Sequence, residues 1–253
     1  MINTDYSSWI QAALPANDLF NIINGQSPPT QVSVFDVLQS YYNQKYASQD
    51  QIRSDPLFVG MFLQYPNRII RDLAMEIVDP SDSDDIKMEK IQEWVVNNIE
   101  YVEDKEQYGY DELWVPPVML LKTMKGDCED GAFLIMSLAL NAGVDPGRLR
   151  FYGGEVKAGQ GAATGGHGWV AYKRETDNEW IAIDWSYYPD LRSMSARKPM
   201  RGDERYISQY FMLEIGTIIT SDVNRVRNPN MYNNQGYIQP NVLLPGTWIS
   251  RYA

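Results

Sequence analysis

The 253-residue chain holds one cysteine and one histidine. A single cysteine cannot close an intrachain disulfide, so the fold does not rest on oxidative cross-links. One cysteine and one histidine are also too few soft ligands for a structural zinc centre. No metal and no cofactor are expected. No apolar run approaches the length of a membrane span, and Met1 to Phe20 has neither a basic leader nor an apolar core. These absences set the expectation of a cytoplasmic protein with no membrane insertion. Positive charge is scarce too: 22 Lys and Arg stand against 33 Asp and Glu, a net charge of −11. A field of that sign repels phosphate backbones and argues against nucleic acid as a partner. The one basic cluster, Arg197, Lys198, Arg201 and Arg205, is broken by Asp203 and Glu204 and reads as a solvated loop.

What is present is a core. Hydrophobic residues make up 44% of the chain, and there is no repeat or low-complexity tract. Residues 1–30 are polar and end at Pro28-Pro29. Val34, Val37, Leu38 and Tyr41 then carry helical spacing, as do Phe62, Ile69, Ile70, Leu73 and Ile77. The acidic run Asp79 to Asp85 lacks the central glycine and late glutamate of a calcium loop, and reads as a linker capping the next helix. That helix is expected from about Asp85 to Ile99. A loop rich in Tyr, Asp and Glu fills residues 100–117, and a short helix covers about Val118 to Met124.

Ala132, Phe133, Ile135, Met136, Leu138, Ala139 and Leu140 are apolar on nearly every face, which means a fully buried helix. Beyond it the period changes to two. Strands are expected over Leu149–Val156, Gly168–Lys173 and Trp180–Trp185, with a glycine-rich loop at 157–166. Short strands joined by a tight turn imply an antiparallel sheet, so the class is α+β. The chain divides into an N-terminal arm and helical region (1–85), a core (86–190) and a C-terminal extension (191–253).

The scarce residues sit in short glycine-marked motifs. Cys128 lies in Gly126-Asp127-Cys128-Glu129-Asp130-Gly131, and His167 in Gly165-Gly166-His167-Gly168-Trp169. Asp127 suits an N-cap, with Asp130 three residues on as in a capping box. Cys128 would then start the buried helix, where free backbone N–H groups stabilise a thiolate or an oxyanion. Asp127, Glu129 and Asp130 oppose this, because like charge raises a thiol pKa. The thiol therefore needs the imidazole of His167. Asp184, on the next strand across a hairpin, is placed to orient that ring.

These motifs, with Trp94 to Tyr101 and Trp114 to Pro117 upstream, resemble the transglutaminase-like cysteine peptidase superfamily, bacterial and phage type. The resemblance covers about Ile86 to Trp185. It implies a papain-like core: a central buried helix packed on an antiparallel sheet, with Cys128, His167 and Asp184 as a catalytic triad. It implies thiol-dependent acyl transfer, with hydrolysis of a peptide or amide bond first and protein cross-linking by transamidation as a further option. For the oxyanion or substrate groove, Trp114, Tyr110, Asn98 and Trp169 remain open. Gly168 stands where the family pattern often has alanine. The partner expected is a peptide or protein substrate. The alternative is a structural component of a phage virion or another large assembly, touching other chains through residues 1–30 and 224–253.

Overall fold

The computed structural model describes residues 62–158 and 163–216. The expected helical stripe from Val34 to Tyr41, the two arms (1–30 and 224–253) and the tip of the glycine-rich segment lie outside those residues. Helix α1 spans Arg68–Ile77, α2 Asp84–Asn98, α3 Asp104–Gln107, α4 Pro117–Thr123 and α5 Cys128–Asn141. A two-residue strand β1 (Glu100–Tyr101) pairs in parallel with β2 (Lys125–Gly126). The main sheet comprises β3 (Leu149–Ala158), β4 (Ala163–Lys173), β5 (Trp180–Ile183) and β6 (Tyr206–Glu214). Its order is β5-β4-β3-β6, antiparallel throughout. Among the described residues no helix is long and apolar enough to cross a membrane.

Helix α5 is the centre. From Glu129 to Asn141 every residue is buried, and the helix packs against α1, α2, α4 and β4. The two polar residues of its C-terminal half, Ser137 and Asn141, have assigned partners. Ser137 Oγ accepts from the Gln64 amide at 3.1 Å, and Asn141 Oδ1 accepts from the Asn67 amide at 3.0 Å. Gln64 in turn accepts from the Val118 amide at 2.9 Å. A polar side chain inside an apolar helix is tolerable because each one fastens a neighbouring segment. Phe62, Ile70 and Ala74 consequently belong to the same core as α5.

The acidic run before α2 behaves as a cap. Ser83 accepts from the Ile86 amide, while Asp84 and Asp85 occupy the first turn, where the helix dipole favours negative charge. Asp85 Oδ1 also receives the Tyr172 hydroxyl and the Glu175 amide, both at 2.8 Å. The basic cluster is bound rather than free: Arg197 donates to Gln92 Oε1, Arg201 to Glu179 and Arg205 to Asp203.

Two features depart from expectation. The glycine-rich stretch is not wholly loop, because Gly165 and Gly166 pair with Val156 and Glu155 inside β4. Glycine weakens a strand but permits close backbone approach. Also, the core extends past the expected 86–190 limits on both sides. Phe62 to Val78 packs on α5, and β6 completes the sheet beyond β3.

Gly131 is sterically required. A Cβ on Gly131 would lie 2.2 Å from the ring of Trp185, whose indole N–H donates to the Cys128 carbonyl at 2.9 Å. This lock holds the first turn of α5 against the end of β5. Gly131→Ala is expected to cost about 2–4 kcal/mol through overpacking, read as a lower urea midpoint at unchanged slope. A loss under about 0.5 kcal/mol, the scale of an ordinary surface change, would mean that Trp185 is not held as described.

Candidate functional site

Cys128 is the first residue of α5, with Asp127 at the N-cap. The expected capping box does not form as such: Asp127 makes no side-chain cap. Asp130 instead accepts from the Val115 amide at 2.7 Å, pinning the segment before α4. Cys128 Sγ accepts from the Gly168 amide at 3.4 Å and donates to Glu129 Oε2 at 3.0 Å. Gly168 fits closely here, since a Cβ would stand 3.1 Å from Glu129 Cβ. This is the position where the resembled family often carries alanine.

His167 and Asp184 meet as their strands predict. Register pairs Val170 with Ile183, which brings the residue after β5 alongside the middle of β4. His167 Nε2 lies 2.9 Å from Asp184 Oδ2, with both side chains almost fully buried. Asp184 Oδ1 accepts from the amides of Ser186 (3.1 Å) and Tyr187 (3.2 Å). The Tyr206 hydroxyl donates to Oδ2 at 3.1 Å. A carboxylate enclosed by donors acts as an acceptor, so the hydrogen-bond network assigns the ring proton to Nε2. His167 Nδ1 is buried and has no hydrogen-bond partner among the described residues. The sulfur proton thus points to Glu129, and no hydrogen bond joins Cys128 to the imidazole.

The electrostatics around the sulfur are dominated by carboxyls. Burial pushes the Cys128 thiol well above its ordinary range, with Glu129 and Asp127 adding to the rise and the Gly168 amide opposing it. Burial likewise raises Asp127 to about 9, reinforced by Asp130 and Asp104. Asp104 is raised to about 7, again by burial first, with the Leu113 amide pulling the other way. Burial lifts Glu129 and Asp130 well above the usual carboxylate range. One oxygen from each of Asp104, Asp127 and Asp130 lies within 4.8 Å of the others, and Asp127, Cys128 and Glu129 form a second such group. Asp104 Oδ1, Asp127 Oδ1, Glu129 Oε1 and Asp130 Oδ2 are buried without a hydrogen-bond partner among the described residues.

The model of the transglutaminase-like superfamily matches residues 71–185. That segment belongs to the transglutaminase-like superfamily. The match runs from within α1 to the tryptophan that locks α5. Three solved structures resemble the chain at low identity. LapG of Legionella pneumophila is 17% identical, with 70% of this chain and 84% of that one covered and a TM-score of 0.39. Its calcium-bound form is 16% identical, with 71% and 83% covered and a TM-score of 0.42. A candidate cysteine protease from Cytophaga hutchinsonii is 16% identical, with 70% and 54% covered and a TM-score of 0.39. No curated protein matches the chain.

The four residues considered for the oxyanion or groove do not converge. The Trp114 ring is buried against Phe62, Phe133 and Phe151, and its indole N–H donates to Glu112 at 2.9 Å. Asn98 is exposed at the end of α2 and donates to the Trp94 carbonyl at 2.7 Å. Tyr110 packs against the main core. Of the four, only Trp169 borders the His167–Asp184 pair, its ring 5.7 Å from that of His167 and stacked on Tyr152. Sequence reasoning missed Tyr187, with its ring 4.7 Å from His167, and Tyr206. It missed Asp104 as well. Tyr187 follows the Trp180-to-Trp185 motif by two residues and could have been considered; the other two carried no local signal.

Proposed function

We propose that this protein is a thiol-dependent acyl-transfer enzyme that hydrolyses a peptide or amide bond, with Cys128 as nucleophile, His167 as proton shuttle and Asp184 as orienter. The observation that supports it most is the buried His167–Asp184 pair, which leaves Nδ1 unpartnered one residue from the Gly168 amide bonded to Cys128 Sγ. In the reaction, Nδ1 takes the thiol proton and Sγ attacks the substrate carbonyl carbon. The carbon–nitrogen bond breaks and Nδ1 returns the proton to the leaving amine. Water, deprotonated at Nδ1, then attacks the thioester and regenerates the thiol. The first-turn amides of α5 face no Asp127 cap and would take the oxyanion.

The carboxyl cluster bears on the state of the thiol. Asp104, Glu129 and Asp130 are at least nine-tenths buried, and each has an orphaned oxygen. That donor set fits a hard divalent cation such as calcium, which takes oxygen ligands, so scarcity of cysteine and histidine does not exclude metal. Asp104, Asp127 and Asp130 would hold it, with Glu129 beside Asp127. Bound there, it would offset the negative charge that raises the thiol.

Alkylation of Cys128 by iodoacetamide, with and without millimolar calcium, tests the reading, because the chain has one cysteine to label. Labelling is expected to be slow near neutral pH in chelator, since the thiolate is disfavoured, and faster by about tenfold or more with calcium. His167→Ala should slow the calcium-stimulated rate by about tenfold. A rate indifferent to His167 under both conditions would remove the proposed shuttle.

A further inference from the structure

Strand β6 lies beyond residue 185, where the family match ends, yet it reaches the site. Among the described residues it is an edge strand paired with β3, and the pairing slips twice. Phe211 stands opposite Gly153, so unbroken antiparallel pairing would set residue 208 opposite Val156, three positions on in each strand. Instead Tyr206 stands there. Each slip adds one residue to β6, as a β-bulge does, and bulges re-aim side chains near sites. Unbroken pairing would present the short hydroxyl of Ser208 on this face. The slipped strand presents a phenol, while Ser208 bonds Glu155 at 3.0 Å.

The phenol is placed with care. Val156 pairs with Gly165, and residues 165, 167 and 169 share one face of β4, so Tyr206 looks onto the face that carries His167. Its ring lies 4.9 Å from the Trp169 ring, which stacks beside His167. Its hydroxyl reaches Asp184 Oδ2, the same oxygen that His167 Nε2 contacts. Burial, then the Asp184 charge, push the Tyr206 phenol up, so it remains a donor.

We infer that Tyr206 is a positioning residue: its hydroxyl fixes the Asp184 carboxylate so that Oδ2 holds the His167 Nε2 proton and leaves Nδ1 free. The inference rests on the roles proposed for His167 and Asp184, but its physical content is the geometry of the ring proton. Two amides hold Oδ1 of the carboxylate. Without the phenol, Oδ2 has the imidazole alone, and the carboxylate can rotate about its Cβ–Cγ bond. Strand β6 thereby ties the C-terminal part of the chain to the orientation of the imidazole.

The chain has a single histidine, so its imidazole gives one set of nitrogen resonances. In ¹⁵N-labelled protein the Nε2-protonated tautomer should dominate, with a slowly exchanging proton. Tyr206→Phe keeps the ring against Trp169 and removes only the hydroxyl. It should speed exchange of the Nε2 proton by about tenfold and lower the His167-dependent alkylation rate by about three- to tenfold, the scale of one ordinary hydrogen bond. Tyr188→Phe is the control, because its hydroxyl serves the Lys157 carbonyl and not Asp184; its imidazole spectrum should match the parent. If Tyr206→Phe leaves tautomer and exchange unchanged, the positioning role is refuted, whatever its melting temperature. If the exchange effect appears while Cys128 alkylation never depends on His167, the positioning stands and the proposed chemistry falls.

Discussion

In chelator, the protein should melt at a markedly lower temperature at pH 8 than at pH 5.5, the reverse of the trend for most acidic proteins. Asp104 and Asp127 are raised to about 7 and about 9, by burial first, with the Glu112 charge adding to Asp104 and those of Asp130 and Asp104 adding to Asp127. A carboxyl raised on folding holds its proton more tightly in the folded state. Its stabilising contribution is complete below the unfolded value and is lost as pH climbs through the folded one. The window therefore opens near pH 4, and closes around 7 for Asp104 and 9 for Asp127. Each retained proton contributes about 1.4 kcal/mol per pH unit, so two groups remove several kcal/mol between pH 5 and 8. For a chain of this size that is a fall of about 10–20 °C. Glu129 and Asp130, raised in the same direction, deepen it.

Calcium should offset part of the effect at pH 8, because cation and protons compete for the same orphaned oxygens. At a hundredfold excess over its dissociation constant, a ligand of the folded state adds about 2.7 kcal/mol. Differential scanning calorimetry at both pH values, with chelator or calcium, reads both parts. A chelated protein equally stable at pH 5.5 and 8 would show that the cluster neither keeps its protons nor lacks a counter-charge.

Replacing Asp184 should be the most damaging single change at the site. Asp184→Ala leaves His167 Nε2, the Tyr206 hydroxyl and two backbone amides without their acceptor in a buried place. Removing one partner of such a buried network costs about 3–5 kcal/mol. Asp184→Asn separates stability from chemistry. An amide retains much of the packing but can present N–H where Oδ2 stood. The ring proton then moves to Nδ1, and the base proposed to serve Cys128 is lost. The expected result is a small change in urea midpoint, with loss of the His167-dependent alkylation by about a hundredfold or more. An asparagine variant that alkylates like the parent would exclude Asp184 as the orienter.

The regular elements were legible where local chemistry and period agree. Helix α2 was expected over about 85–99 and occupies Asp84–Asn98, because Ser83, two acidic residues and an apolar stripe all point one way. The buried α5 announced itself through apolar residues on every face. The glycine-rich stretch misled, since low strand propensity says nothing about a neighbour; β3 supplies the pairing partners for Gly165 and Gly166. Asn98 and Trp114 were reasonable groove candidates by composition, but a helix end takes one and the aromatic core the other.

The sequence alone determined the cast: one thiol, one imidazole, a buried helix opened by Gly-Asp-Cys-Glu-Asp, and an aspartate one hairpin away. Scarcity and spacing carry that much, because nucleophile, helix start and strand period are local properties. Only the tertiary structure decided how the cast is connected. It turns the sulfur proton toward Glu129, brings Asp104 from the start of α3 into the carboxyl cluster, and uses two register slips to set Tyr206 on Asp184. Those contacts depend on strand register and on the packing of distant segments, and a one-residue slip in either would exchange the side chains that meet.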